Sequence, residues 1–166
     1  MGSTNAVVAL AGGKLSKVVH AMCDGLLVAA DRDDFYVDMN TFGDTADFGA
    51  PNNECCYGCA ATCTLMRLTG VQLTTRTITG HSNHATAVGL PVKDVSEFER
   101  AVDAFRCGDD GEWSTFWNLA ELCNTPFEVV GAALDHSGPW ALANSDWREQ
   151  LPVLRSFADY LADRGY

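Results

Sequence analysis

Four cysteines lie inside nine residues, Cys55-Cys56-Tyr57-Gly58-Cys59-Ala60-Ala61-Thr62-Cys63, directly behind the polar run Asn52-Asn53-Glu54. Thiols at this density can act in three ways. They can attack a carbonyl as thiolates, hold a soft metal, or fill a tightly packed centre as small apolar side chains. Each use makes its own demand on the rest of the chain.

A nucleophilic thiol needs a depressed pKa and a base, usually histidine, held by a third group. A helix opening after Asn52 or Asn53 puts Cys55 and Cys56 in its first turn, where backbone N–H groups and the macrodipole favour the thiolate. His136 follows as a candidate base, with Asn144 or Asp146 as its orienter. Glu54-Cys55 at the opening and Leu68-Thr69-Gly70 at the end of this helix, together with the Cys-then-His-then-Asn order, resemble papain-like cysteine peptidases, including the bacteriocin-processing type. That resemblance implies an acyl-transfer hydrolase. Two departures accompany it. The distance from either leading cysteine to Gly70 differs by one or two residues, and no glutamine precedes the cluster to serve the oxyanion.

A metal centre needs convergent ligand pairs. Cys56-x-x-Cys59 and His81-x-x-His84 have the types and short spacings that tetrahedral zinc accepts. An iron–sulfur cluster fits less well, because one straight helix cannot surround it. Packing alone makes the simplest demand. Cys56, Cys59, Cys63 and Met66 recur at spacings of three, four and three, which is one helical face, with Gly58 and Ala60 keeping its neighbours small. On this reading the cysteines are the buried centre of the fold, and no cofactor is required.

The composition narrows the partners. The chain has 166 residues, 47% apolar and 20% charged, with 22 acids against 11 bases and a formal charge of −11. Phosphate neutralisation needs clustered lysine and arginine, so a nucleic-acid partner is not expected, nor is anionic lipid. No run approaches the ~20 apolar residues of a membrane span. The apolar run at Ala6 lacks a basic leader and ends at Gly12-Gly13, and seven cysteines without an export signal imply reduced thiols. A cytoplasmic protein is expected.

The elements that must position these residues follow from periodicity. Leu15, Val18, Val19 and Met22 are helical, with Gly25 as the stop. The runs 26–30 and 35–39, separated by Asp31-Arg32-Asp33-Asp34, read as an antiparallel hairpin. Those aspartates lack the alternation and closing glutamate of a calcium loop, so a solvated turn is expected. The cysteine helix runs to Thr69, with Gly70 as its C-terminal stop. Val71–Ile78 is a strand candidate. Ser96-Glu97-Phe98-Glu99 is a capping box opening a helix with Val95, Phe98, Val102 and Phe105 on its apolar side. A helix over 111–123 carries Trp113, Phe116 and Trp117. Phe127–Val130 is a short strand candidate. Trp147, Leu151, Leu154, Phe157 and Leu161 stripe a final helix, in which Pro152 should cause a kink or a restart.

The expected fold is α+β in one domain over 1–166: a small antiparallel sheet, four to five helices, a buried central cysteine-rich helix and a helical C-terminal half. The expected function is that of a small acidic regulatory or assembly protein binding a protein partner or a second copy of itself. Two alternatives stand beside it. One is the cysteine hydrolase built on Cys55 or Cys56, His136 and Asn144. The other is a zinc-stabilised module built on Cys56, Cys59, His81 and His84.

Overall fold

A computed structural model describes residues 4–39, 43–46, 55–103, 111–138 and 147–166, with the side chains of 44–46, 55, 103 and 111–116 excepted. In chain order the elements are α1 (Ala6–Ala9), α2 (Leu15–Ala30), β1 (Phe35–Val37), β2 (Asp44–Ala46), β3 (Cys55–Gly58), α3 (Ala60–Thr69), α4 (His81–Val88), α5 (Val92–Asp103), α6 (Gly111–Leu122), α7 (Phe127–Ser137) and α8 (Trp147–Ala162). The mixture of helix and strand is as expected, but its proportions are not. Eight helices stand among the described residues, and the sheet is small and mixed rather than antiparallel. Its order is β1-β3-β2, with β1 parallel and β2 antiparallel to β3.

The expected hairpin does not form, because α2 runs through Gly25 to Ala30. Gly25 is not a stop. It lies where α2 crosses α3, and a Cβ there would run into the Cys63 carbonyl oxygen. Glycine lets the two backbones approach, and the α2–α3 contact it permits is among the most extensive in the fold. Leu15, Val18, Val19, Met22 and Leu26 fill the buried side of α2, each at most 1% exposed.

The cysteine helix is shorter than the sequence implies. Cys55 and Cys56 belong to β3, and α3 opens only after Cys59, whose extended backbone (φ −89°, ψ −176°) occupies the N-cap. The register pairs Phe35 with Cys56 and Tyr36 with Tyr57. Side chains alternate across a strand, so Phe35 and Cys56 face the core while Tyr36, 53% exposed, faces out. At the far end Gly70 closes α3 in the left-handed region, its N–H donating to the Met66 carbonyl.

Val71–Ile78 forms no strand; a turn at Thr74–Thr77 carries it into α4. Phe127–Val130 is the first turn of a helix rather than a strand. Pro126 precedes it without needing an N–H, and Val130, Ala133 and Leu134 form its buried side. Asn5 ties the short α1 to α5: its carboxamide oxygen accepts from Val7 N–H (2.9 Å), and its nitrogen donates to Asp94 O (2.9 Å) and Glu97 Oε1 (3.1 Å). Asp94 accepts from Ala6 N–H rather than capping its own helix.

Helix α8 is continuous through Pro152, and all five residues of its stripe are buried. It packs on α2 and α7. Arg155 of α8 donates to Asp24 and to His20 Nδ1 (2.9 Å), which leaves His20 Nε2 to donate to Asp159 Oδ1 (3.0 Å). Among the described residues no helix is long and apolar enough to cross a membrane.

Candidate functional site

β3 and the start of α3 deliver the cysteines to the centre of the molecule. Cys56, Cys59 and Cys63 are 1%, 4% and 0% exposed. The Cys56 thiol donates to the Asp34 carbonyl at 3.4 Å, and Cys59 Sγ lies 3.8 Å from Thr62 Oγ1. Arg32 stands over this group. It holds Asp34 through two bonds (2.8 and 3.0 Å), donates to Gln72 Oε1 and Leu73 O, and lies over the Phe35 ring. Its guanidinium therefore ties the end of α2 to β1 and to the segment after α3.

The electrostatics make Cys59 and Cys63 poor nucleophiles. Burial pushes Cys59 up to about 11, helped by the nearby Glu99 carboxylate and only partly offset by N–H groups of Thr62 and Ala61. Burial likewise drives Cys63 well above the ordinary thiol value, with Arg32 opposing it. Cys23 rises to about 11 and Cys123 to about 12 for the same reason. The helix N-terminus expected to activate Cys55 or Cys56 belongs instead to Cys59, and there desolvation outweighs it.

Of the other residues of the hydrolase reading, only His136 has a described side chain. His136 sits in the last turn of α7, solvent-exposed, its ring centroid 5.0 Å from that of Tyr160 of α8. Among the described residues no hydrogen bond joins it to a cysteine. The Cys55 side chain, Asn144 and Asp146 lie outside the described residues.

His81 and His84 share one side of α4, and both turn to Glu99 rather than to a cysteine. His84 and Glu99 are each 0% exposed. His84 Nδ1 lies 2.8 and 3.0 Å from the two Glu99 oxygens, its Nε2 meets the Ile78 carbonyl, and His81 Nδ1 lies 3.5 Å from Glu99 Oε1. Both ring nitrogens of His84 face oxygen atoms, an arrangement that favours the doubly protonated imidazolium. Burial opposes that charge, but Glu99 and the Ile78 carbonyl outweigh it and hold His84 above the ordinary value of 6.5. Gly43 presses on the same bond: a Cβ there would strike the Ile78 carbonyl oxygen and come within 2.8 Å of His84 Nε2.

The zinc set of Cys56, Cys59, His81 and His84 is thus divided. Among the described residues no three or more histidine, cysteine, aspartate or glutamate side chains are placed to hold a metal ion. The His84–Glu99 pair was legible in one respect. Glu99 falls four residues after Val95 and three before Val102, inside the apolar stripe of α5, where a carboxylate must find a partner.

A small hollow of about 100 Å³ where α2 meets α3 is lined by Gly25, Cys63 and Met66, but the more voluminous concave surfaces lie elsewhere. A groove of about 620 Å³ between α5 and α6 is lined by Lys93, Glu97, Arg100, Asn118 and Glu121. Another hollow, of about 540 Å³, lies beside α8 at His136, Arg155 and Tyr160. Neither is lined by the buried cysteines or by the His84–Glu99 pair. No protein-family model, curated protein or solved structure matches the chain.

Proposed function

We propose that this chain works by binding, as a small acidic regulatory or assembly protein that engages another protein chain or a second copy of itself. The observation that carries the reading is how the reactive side chains are used. The thiols of Cys56, Cys59 and Cys63 are buried, burial holds those of Cys59 and Cys63 protonated, and His84 has both ring nitrogens committed to structural partners. Chemistry that an acyl transferase would direct at a substrate is directed inward.

The surface offers contacts of another kind. Tyr36 stands outward on β1 with Tyr57 edge-on to it at 6.1 Å, and Asp31, Asp33 and Asp34 are exposed just before it. Tyrosine is a favoured interface anchor, and an excess of acid steers basic partners in a salt-sensitive encounter.

Tyr36→Asp tests this without touching the core. Two measurements are paired: sedimentation velocity of the purified chain over a concentration series, and quantitative affinity capture from the source cells with wild-type and variant baits. The expected result is self-association, or one stoichiometric partner, weakened at least tenfold by the variant and by added salt. A wild-type chain that stays monomeric and retains no partner stoichiometrically contradicts the reading.

A further inference from the structure

We propose that α4 is an alkali-released flap, hinged at Gly80 and Gly89 and latched to α5 by the charged His84–Glu99 bond. The observations are geometric. α4 spans only His81–Val88, and its buried residues are His84 and Ala85 alone. Glycines with positive φ flank it, Gly80 at 87° and Gly89 at 72°, and a Cβ at either would meet nothing within 4 Å. Those backbones are turned by conformation rather than wedged by neighbours, which is what a hinge requires.

α4 packs on α5, and the centre of that contact is the ionic pair. Two of its other polar side chains are satisfied locally. Asn83 donates to Thr79 O (2.6 Å) and Thr86 to Ser82 O (2.9 Å), bonds that travel with the segment when it moves. Ala85, Ala87 and Val88 supply a small apolar contact with the core, and the ionic pair is the polar tie of α4 to α5.

The latch has a defined response to protons. Losing one proton turns His84 from a double donor into a ring with a bare nitrogen, which must then face either Glu99 or the Ile78 carbonyl. Both are acceptors, so one of the two bonds becomes a repulsion. Among the described residues, the titratable groups facing the pair are few. Glu99 comes from α5, His81 from α4 itself, and Cys59 from the start of α3, where its thiol feels the same carboxylate. Ile78 contributes its carbonyl, and Gly43 contributes backbone. Release of α4 uncovers Glu99 beside the N-terminus of α3.

Two measurements on the full chain test the flap. The first is ¹⁵N NMR of the histidine rings. The expected result is a His84 ring with both nitrogens protonated at pH 7, losing one proton as the pH is raised. The second is backbone amide exchange, corrected for the intrinsic rate at each pH. Protection over 81–88 should fall by up to about tenfold per pH unit from about 6.5, the ordinary imidazole value, up to that titration and level off above it, as release of a single proton requires, while protection within α2 and α8 holds. His84→Gln, which keeps one donor and cannot titrate, should make the local opening independent of pH. A His84 ring carrying a single proton at pH 7 overturns the proposal. So does an α4 whose opening follows the pH dependence of α2 and α8. Because the ring spectra are read on the wild-type protein, the test stands even where the variant does not fold.

Discussion

Replacing His84 by alanine is expected to destabilise the protein by about 3–5 kcal/mol at neutral pH, as measured by urea unfolding. The magnitude comes from what is left behind. Glu99 is 0% exposed and has both oxygens on His84. Without the imidazolium, the Glu99 carboxyl is buried with, among the described residues, only the His81 ring left beside it, its Nδ1 3.5 Å away. A purely steric account, loss of an imidazole from a core, predicts less and gives no role to the partner. The double variant His84→Leu/Glu99→Leu separates the two, because replacing both members of a buried pair with apolar side chains is often neutral or better. It should recover most of the loss. The pH dependence has a defined sign. His84 is raised in the folded state, so its contribution is complete below 6.5 and is lost as the pH rises through the folded value. The cost of His84→Ala should therefore shrink on going alkaline. A cost under about 1 kcal/mol at pH 7, or a double variant no better than the single, contradicts the ionic account.

Phe98→Ala is expected to cost about 3–5 kcal/mol by the same measurement, with an unchanged m-value. Phe98 is 0% exposed and among the largest fully buried side chains. It lies on α5, which packs against α1, α3, α4 and α6, so the void it leaves opens at a crossing of elements rather than at an edge that can collapse. Phe127→Ala is the matched control. Phe127 is 54% exposed and its ring touches Trp117 edge-on at 5.3 Å, so its loss should cost about 1 kcal/mol or less. Equal effects at the two positions would mean that the centre does not lie around α5.

The stripe of α8 was legible because five large apolar residues recur at helical spacing and nothing competes with that period. The buried face of α2 was legible for the same reason, but its end was not. Gly25 reads as a stop in isolation, and only the passing backbone of α3 shows why glycine is needed there. Phe127–Val130 illustrates a limit of periodicity: four residues fit a strand as well as one turn of helix, and Pro126 with the burial of Ala133 and Leu134 decides for helix. The cysteine spacing reads as one helical face. Cys59, Cys63 and Met66 obey that reading, whereas Cys56 reaches the same core from a strand whose partner, β1, is not adjacent in the sequence. The His84–Glu99 pair depends on two helices meeting, and His81-x-x-His84 read alone points equally to a metal. Glu99 within an apolar stripe was the signal that went unused.

The central claim is that the cysteine-rich segment is packing rather than chemistry, and residue-resolved alkylation tests it most directly. Iodoacetamide at about pH 6 leaves an ordinary thiol with pKa near 8.5 almost unreactive, while a depressed thiolate reacts rapidly. The account predicts that Cys56, Cys59 and Cys63 stay unmodified in the folded protein, and that they react together at the ordinary thiol rate once urea opens the core. Fast modification of Cys55, Cys56 or Cys59 in the folded chain, with its neighbours silent, would contradict the account and restore the nucleophile.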